Sequence, residues 1–367
     1  MKKITFNCET ITPLFLGEAK KEMVELRPPA IKAAMRFWWR AAHAHLTLPV
    51  MKSQEAEIFG GGGTDAKSAK FDIVLSEPSL NPVRYKYPPN DNSDAIAGIN
   101  MGTATGSQYL MYTFFYLKKK GQYLPPNTTF NVSFYFDNDN LEIKQILGSF
   151  WLLVFFGNIG ERARRGLGSF KVTGTSDNDR LLGDFNFTAY NFEAIRSGLT
   201  LIKGSTVFNS ATTTLVNNTN SHIFNNEIYV SNNNHQTWKD ALNDIGSKMK
   251  NFRLDAQNHA ILAKNASAIF GLPIKHRVGS PIKPKDFERR ASPLIIKIIQ
   301  VGTNEFRWVL IRLEGDFLPT GNDELNVQTM LTHQVGRFSV TTHKYLKADD
   351  SVLTSFLNIT ILNMTKI

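Results

Sequence analysis

LEIKQILGSFWLLVFFGNIGERARRGLGSFKVT, residues 141–173, is the stretch on which the fold turns. From Leu141 to Phe156 it is apolar on nearly every side, the pattern of a helix with no wet face. Gly148 and Ser149 interrupt the apolar run Ile146 to Phe156, which falls short of the roughly 20 residues a membrane span needs. Leu167 to Thr173 then reads as a strand. Between helix and strand, Gly157, Gly160, Gly166 and Gly168 surround Glu161-Arg162-Ala163-Arg164-Arg165. Glycines let a backbone approach a ligand and expose its N–H groups, and arginines supply bidentate donors for phosphate oxygens. The spacing is not that of a mononucleotide loop, because Leu167 follows Gly166 where Lys and then Ser or Thr are required, and the dinucleotide fingerprint lacks its third glycine. An arginine-studded turn of this kind suits a polyanion backbone; a Gly-capped turn with solvated arginines is the plainer alternative.

Toward the N-terminus, Lys3 to Thr12 alternates as a strand does, Ala30 to Leu46 has helical periodicity, and Lys70 to Ser76 reads as a strand. Tyr109 to Leu117 and Thr128 to Asp137 carry the Tyr, Phe, Val and Thr of strands. The order predicts an α+β fold with a split βαβ sheet of the ferredoxin-like type. Residues 78–108, with Pro78, Pro82, Pro88 and Pro89, form a long insertion read as a mobile loop or hairpin. From about Ser176 the pattern restarts, which predicts two ferredoxin-like domains, 1–175 and a more divergent 176–367. Residues 204–236 read as irregular, Thr237 to Phe252 and Ala256 to Phe270 as helices, Pro293 to Val301 and Glu305 to Leu313 as a hairpin, and Asp323 to Gly336 as a late helix. Ile58-Phe59-Gly60 and Ile269-Phe270-Gly271 each precede a strand, a short echo between the halves.

No carboxylate lies between Glu25 and Glu55, while Arg27, Lys32, Arg36, Arg40, His43, His45 and Lys52 surround Phe37-Trp38-Trp39. On a helical period Trp38 falls on the apolar side with Ile31 and Met35, whereas Lys32, Arg36, Trp39 and His43 line the other, with Arg40 at its edge. Cations interleaved with an aromatic ring form a surface for unpaired nucleic acid, since the charges neutralise phosphates and the rings stack on bases. A third cluster comprises Lys275-His276-Arg277, Lys283, Lys285, Arg289 and Arg290. Forty-two Lys and Arg against 32 Asp and Glu give a formal charge of +10, so an acidic partner is expected. Cys8 is the only cysteine, and Asn7, Glu9 and Thr10 break up any signal-peptide core; a cytoplasmic protein without disulfides is expected. His43 and His45 are two apart on a helix and cannot share a metal, the other histidines are scattered, and no nucleophile or zinc motif occurs. No catalytic residue, metal or cofactor is predicted.

Thr12-Pro13-Leu14-Phe15-Leu16-Gly17, the run from Glu25 through Arg27-Pro28-Pro29 to Trp38-Trp39-Arg40-Ala41, Glu57-Ile58-Phe59-Gly60, and Gly160 to Ser169 together resemble the RAMP superfamily of RNA-binding proteins. Within it they look like the first-numbered subunit of the Cmr complex, the type III-B CRISPR effector. The resemblance covers most of residues 4–175; beyond it, only Ala268-Ile269-Phe270-Gly271 and Arg289-Arg290-Ala291-Ser292-Pro293-Leu294 are similar. Ala30 and Ala33 stand where the family usually has Ser and Gly. The resemblance implies two RAMP domains and a non-catalytic subunit that holds the 3′ region of guide RNA, target RNA or both, beside other Cmr subunits and away from membranes. A metal-independent endoribonuclease maturing guide RNA is the alternative, and docking of neighbouring subunits by the basic faces is a third. The residues expected on RNA are Arg27, Lys32, Arg36, Trp39, Arg40, His43, Arg162, Arg164, Arg165, Lys275, Arg277, Arg289 and Arg290, with the glycine-rich loop between Gly157 and Gly168.

Overall fold

Alternation along β1 (Lys2–Thr10) sends Ile4, Phe6, Cys8 and Thr10 inward, where all four are buried. The computed structural model describes residues 1–16, 25–62, 66–76, 81–86, 99, 105–116, 120–137, 142–204, 222–223, 227–258, 267–272, 283–284, 288–315, 317, 324–329, 334–335, 338–339, 342–347, 351–361 and 364–367. After β1 come α1 (Pro28–Ala42), α2 (Leu48–Phe59), β2 (Phe71–Ser76), β3 (Val83–Lys86), α3 (Thr105–Leu110) and α4 (Tyr112–Tyr116). Next are β4 (Lys120–Tyr123), β5 (Thr129–Phe136), α5 (Ile143–Phe156) and β6 (Phe170–Ser176). The sheet runs β2-β5-β1-β6, antiparallel throughout, with Phe6 opposite Val132. Counted along the chain, its strands lie in the order 2-3-1-4, that of the ferredoxin-like fold. Pro28 and Pro29 start α1 where the first-turn N–H groups have no intrahelical partner to lose. Every described residue of α5 from Ile146 to Phe156 is buried, and Phe150 meets Phe6 and Phe134 at ring separations of 4.8 and 5.1 Å. Each such contact adds roughly 0.5–1.5 kcal/mol beyond the area it buries.

The second half contributes α6 (Phe192–Gly204), β7 (Ile228–Ser231), α7 (Trp238–Asn258), a 3₁₀ turn at Ser267–Phe270, β8 (Lys283–Pro284), β9 (Leu294–Gly302) and β10 (Glu305–Arg312). It ends with β11 (Glu324–Thr329), β12 (Gln334–Val335), β13 (Phe338–Ser339), β14 (Thr342–Lys347), α8 (Ser351–Ile361) and β15 (Met364–Lys366). Its main sheet is β15-β7-β10-β9, again antiparallel and again 2-3-1-4 when read from β9. Helices α7 and α8 therefore occupy the topological places of α1 and α5. The Ile-Phe-Gly echo falls at matching points, ahead of the second strand of each sheet, where Gly60 and Gly271 both take positive φ. Phe187, Ile195, Leu199 and Ile202 pack into the core of the first sheet, so that core draws on chain beyond residue 175.

Two expected elements are corrected. Tyr109 to Leu117 is not a strand, because α3 and α4 occupy Thr105–Tyr116. Tertiary packing overrides the β-propensity of its aromatics: a Cβ on Gly106 would lie 2.1 Å from the Asn243 carbonyl oxygen of α7, and one on Gly246 would lie 2.2 Å from the Gly106 carbonyl oxygen. At that approach Asn243 Oδ1 accepts hydrogen bonds from the Gly106 and Ser107 amides at 3.0 and 3.3 Å, supplying the N-terminal turn of α3 with its missing acceptor. The helix expected over Asp323–Gly336 is replaced by β11 and β12, with β11 paired to β14. Most of the 78–108 insertion and of 204–236 lies outside the described residues, but β3 pairs with β4 and β7 is a central strand. No helix among the described residues is long and apolar enough to cross a membrane.

Candidate nucleic-acid interface

Helix α1 is covered on both sides, and this changes the reading of its basic face. The sequence reading did not anticipate α2, which packs against the side expected to be wet. Trp39 is buried like Trp38, not on a cationic surface; its indole donates to Gln145 Oε1 at 2.9 Å and its ring stacks on His43 at 4.1 Å. His43 is buried too, with Nδ1 2.6 Å from the Trp39 carbonyl oxygen. Neither ring is presented for stacking on a base. Arg36 Nε and Arg40 Nη1 both donate to one oxygen of Glu55, each at 2.6 Å, so the carboxylate that closes the acid-free interval neutralises the face it borders. Glu55 is 8% exposed and the arginines 34% and 39%, so both guanidiniums remain within reach of solvent. Lys32 lies over the Phe71 ring, and burial lowers its pKa, with the charge of Asp72 opposing and that of Arg36 reinforcing. Arg27 is exposed beside Glu25 at 3.5 Å.

The glycine-rich loop is a seam between the two sheets, not an open cradle. Its amides are used internally: Ile159 on Gly168, Glu161 on Phe15, Arg165 on Arg162 and Gly168 on Pro13. Gly168, at φ +71°, passes so close to Ile159 that a Cβ would lie 1.8 Å from that carbonyl oxygen. A Cβ at Gly157 would meet the Trp38 indole nitrogen at 2.4 Å, and Gly166 offers its carbonyl to Thr12. Gly160 is the exposed member. On the other side β9 is stitched to the loop. Asn158 Nδ2 donates to the Ile296 carbonyl at 2.8 Å, the Ile298 amide to Ser169 Oγ at 3.1 Å, and Lys297 Nζ to the Gly157 carbonyl at 2.6 Å. Lys297 is fully buried, and desolvation pushes its pKa down to about 7.

The three loop arginines serve this seam. Arg165 donates to the Phe270 carbonyl at 2.7 Å, and burial, helped by the charge of Arg162, pushes its pKa down to about 9. Arg164 donates to the Ser292 carbonyl and lies 5.0 Å from the Phe37 ring centre; burial, with the charge of Arg290, takes its pKa to about 10. Arg162 donates to the Leu110 carbonyl from Nε at 2.8 Å. Each of these guanidiniums thus has a backbone carbonyl as a partner. Carbonyl partners leave no sequence signal, so the arginines read as free.

Helix and loop nevertheless meet at one groove of about 320 Å³. Ala30, Ala34 and Phe37 of α1 form one wall, Gly157 to Gly160 with Arg164 the other, and Ile295 of β9 closes the floor. Phe37, half-buried, and the buried Trp38 are the aromatic rings lining this groove, and Phe37 is the more exposed of the two, in the place expected for Trp39. Of the third cluster, Lys275 and Arg277 lie outside the described residues, Arg289 is exposed, and Arg290 is held by the Phe317 carbonyl. Lys297 had a readable signal, a lone lysine flanked by isoleucines; Glu55 and Arg253 had none. Among the described residues no group of His, Cys, Asp and Glu could hold a metal ion.

A first sheet ordered 2-3-1-4, followed by a glycine-rich loop ahead of its last strand, defines a class. Residues 7–171, somewhat under half of the chain, match the family model described as the RAMP superfamily. Among individual proteins it is similar to the CRISPR system Cmr subunit Cmr1-1 of Pyrococcus furiosus, 28% identical over 329 residues that cover 86% of this chain and 88% of that one. Cmr1-2 of the same organism is 28% identical over 189 residues, 47% of this chain and 96% of its own length. The crystal structure of apo Cmr1 from P. furiosus shares the fold across the whole chain and 98% of its own, with a TM-score of 0.65 at 21% identity. A chain of a type III-B Cmr-beta complex described as bound to cognate target RNA shares the fold over 97% of this chain and 98% of its own, with a TM-score of 0.63 at 12% identity.

Proposed function

We propose that this protein is an RNA-binding subunit of a type III-B CRISPR effector, holding the 3′ region of guide RNA, target RNA or both, alongside other Cmr subunits. One observation carries the reading: α1 and the glycine-rich loop share a groove that offers an aromatic ring, Phe37, beneath a guanidinium, Arg164. The match of residues 7–171 to the RAMP superfamily, similarity to Cmr1 proteins and a net charge of +10 support it. An unpaired base fits against Phe37, the alanines of α1 leave room for it, and Arg27 with the outward edges of Arg36 and Arg40 lies where phosphates can share the charge of Glu55's partners. The residues first expected to grip RNA thereby change roles: Phe37 replaces Trp39 as the stacking ring, and Arg165 becomes structural.

The test is a filter-binding titration with short single-stranded RNA in EDTA. Base stacking on an aromatic side chain contributes roughly 1–3 kcal/mol, so Phe37→Ala is expected to weaken binding about tenfold or more while Phe37→Trp retains it. Unchanged affinity in Phe37→Ala removes the groove from the interface. Intact labelled RNA at the end of the titration separates holding from cutting.

A further inference from the structure

The outer side of the glycine-rich loop carries a second gathering of arginines, away from the groove. Arg162 gives Nε and Nη2 to the Leu110 carbonyl and lays its guanidinium 4.8 Å from the centre of the Tyr112 ring. From α7, Arg253 hydrogen-bonds the Tyr109 hydroxyl through Nη1 and stands 5.7 Å from the Tyr109 ring centre and 5.5 Å from that of Phe270. Tyr109 and Tyr112 are three residues apart where α3 passes into α4, so one turn of chain brings both guanidiniums together. Arg165 sits behind them on the Phe270 carbonyl.

This cluster differs from the α1 pair in one respect. Arg36 and Arg40 have Glu55, whereas among the described residues no carboxylate makes an ion pair with Arg162, Arg165 or Arg253. Glu161, exposed, acts on Arg162 only through its field, and the charge of Arg253 opposes it. The Arg253 Nε is buried with no hydrogen-bond partner among the described residues. Gathering half-buried guanidiniums with no ion pair among the described residues is costly, and an anion that takes their unused donors relieves both the repulsion and the missing hydrogen bonds. Guanidinium forks match phosphate oxygens in particular. Tyr112 is 42% exposed, which leaves part of its ring open beside them.

We propose that Arg162 and Arg253 form a phosphate-binding site, with Tyr112 as the ring against which the adjoining base stacks. The ligand is a nucleotide unit, either free or within an RNA strand; only the second source rests on the RNA-binding reading above.

Calorimetric titration of the full chain with inorganic phosphate, AMP and a short single-stranded RNA tests it. Arg253→Gln is expected to weaken RNA binding about tenfold and to flatten the salt slope by about one, with Arg253→Lys recovering most of the loss. Tyr112→Ala, with folding checked by its urea midpoint, is expected to weaken AMP but not inorganic phosphate. Displacement of RNA by AMP identifies a terminal phosphate, and failure of AMP to displace it an internal one; both support the site. AMP binding that depends on Arg253 in a protein that does not bind RNA keeps the site and removes the RNA function. RNA binding lost in Phe37→Ala but intact in Arg253→Gln and Tyr112→Ala overturns the site and keeps the function. A protein that binds none of the three probes overturns the site as well.

Discussion

Helix α1 and the glycine-rich loop both carry closely spaced arginines, and their charges are settled in opposite ways. On α1 a single carboxylate, Glu55, takes Arg36 and Arg40 at the surface, leaving the cations part-wet and exchangeable. In the loop Arg164 and Arg165 are turned into the seam and given backbone carbonyls of the second half, those of Ser292 and Phe270. Charge pattern alone cannot separate the two, because a carbonyl partner belongs to no residue type. The difference makes Arg164 and Arg165 part of the seam and leaves Arg36 and Arg40 open to solvent, and each arrangement can be broken separately.

The largest effect is expected at Gly168. Its positive φ and the 1.8 Å approach to the Ile159 carbonyl oxygen leave no space for a side chain, so Gly168→Ala should destabilise the chain by more than about 3 kcal/mol. A urea midpoint unchanged by that substitution would show that the loop is not a seam.

Lys297 gives a pH signature of intermediate size. Burial lowers its pKa from 10.5 to about 7, so above pH 7 the unfolded chain holds a proton that the folded chain has released. Stability therefore rises with pH from about 7 toward the unfolded value, by about 2 kcal/mol between pH 7 and 9. Urea denaturation at those two pH values should show the rise in the native chain and its loss in Lys297→Met. An equal rise in both assigns the effect to another group.

The smallest effect sharpens the helix side. Glu55→Gln removes the charge that Arg36 and Arg40 share, and RNA affinity should rise a few-fold with a steeper salt dependence. The cost in stability should stay near 1 kcal/mol, since both arginines are more than a third exposed and their attraction is screened. An unaltered salt slope would place the phosphates elsewhere.

The parts of the fold governed by local pattern were legible. Alternation found β1, strand-forming side chains found β5, apolarity on nearly every side found α5, and the order of these elements pointed to the observed strand arrangement. Elements whose conformation is imposed from outside were not. Tyr109 and its neighbours are helical because Gly106 and Gly246 let α3 and α7 touch backbone to backbone, a contact between residues 140 apart in sequence. Helix α2 has a weakly amphipathic sequence and two early residues, Leu48 and Val50, that remain exposed, so nothing announced that it would cover Trp39. For the candidate site, the groove joins the two elements expected to converge, while Trp39 and His43, read as outward-facing, are buried, and Arg164 and Arg165 are held by backbone carbonyls. Periodicity resolves which side of a helix a residue is on, but not whether that side faces water.

One consequence follows from Ile295. Because a residue of β9 closes a groove whose walls are α1 and the loop, the span of the groove is a gauge of the angle between the two sheets. A molecule wedged against Phe37 presses on both halves together, and whatever leans on the second half from outside is felt there as a tighter or looser fit.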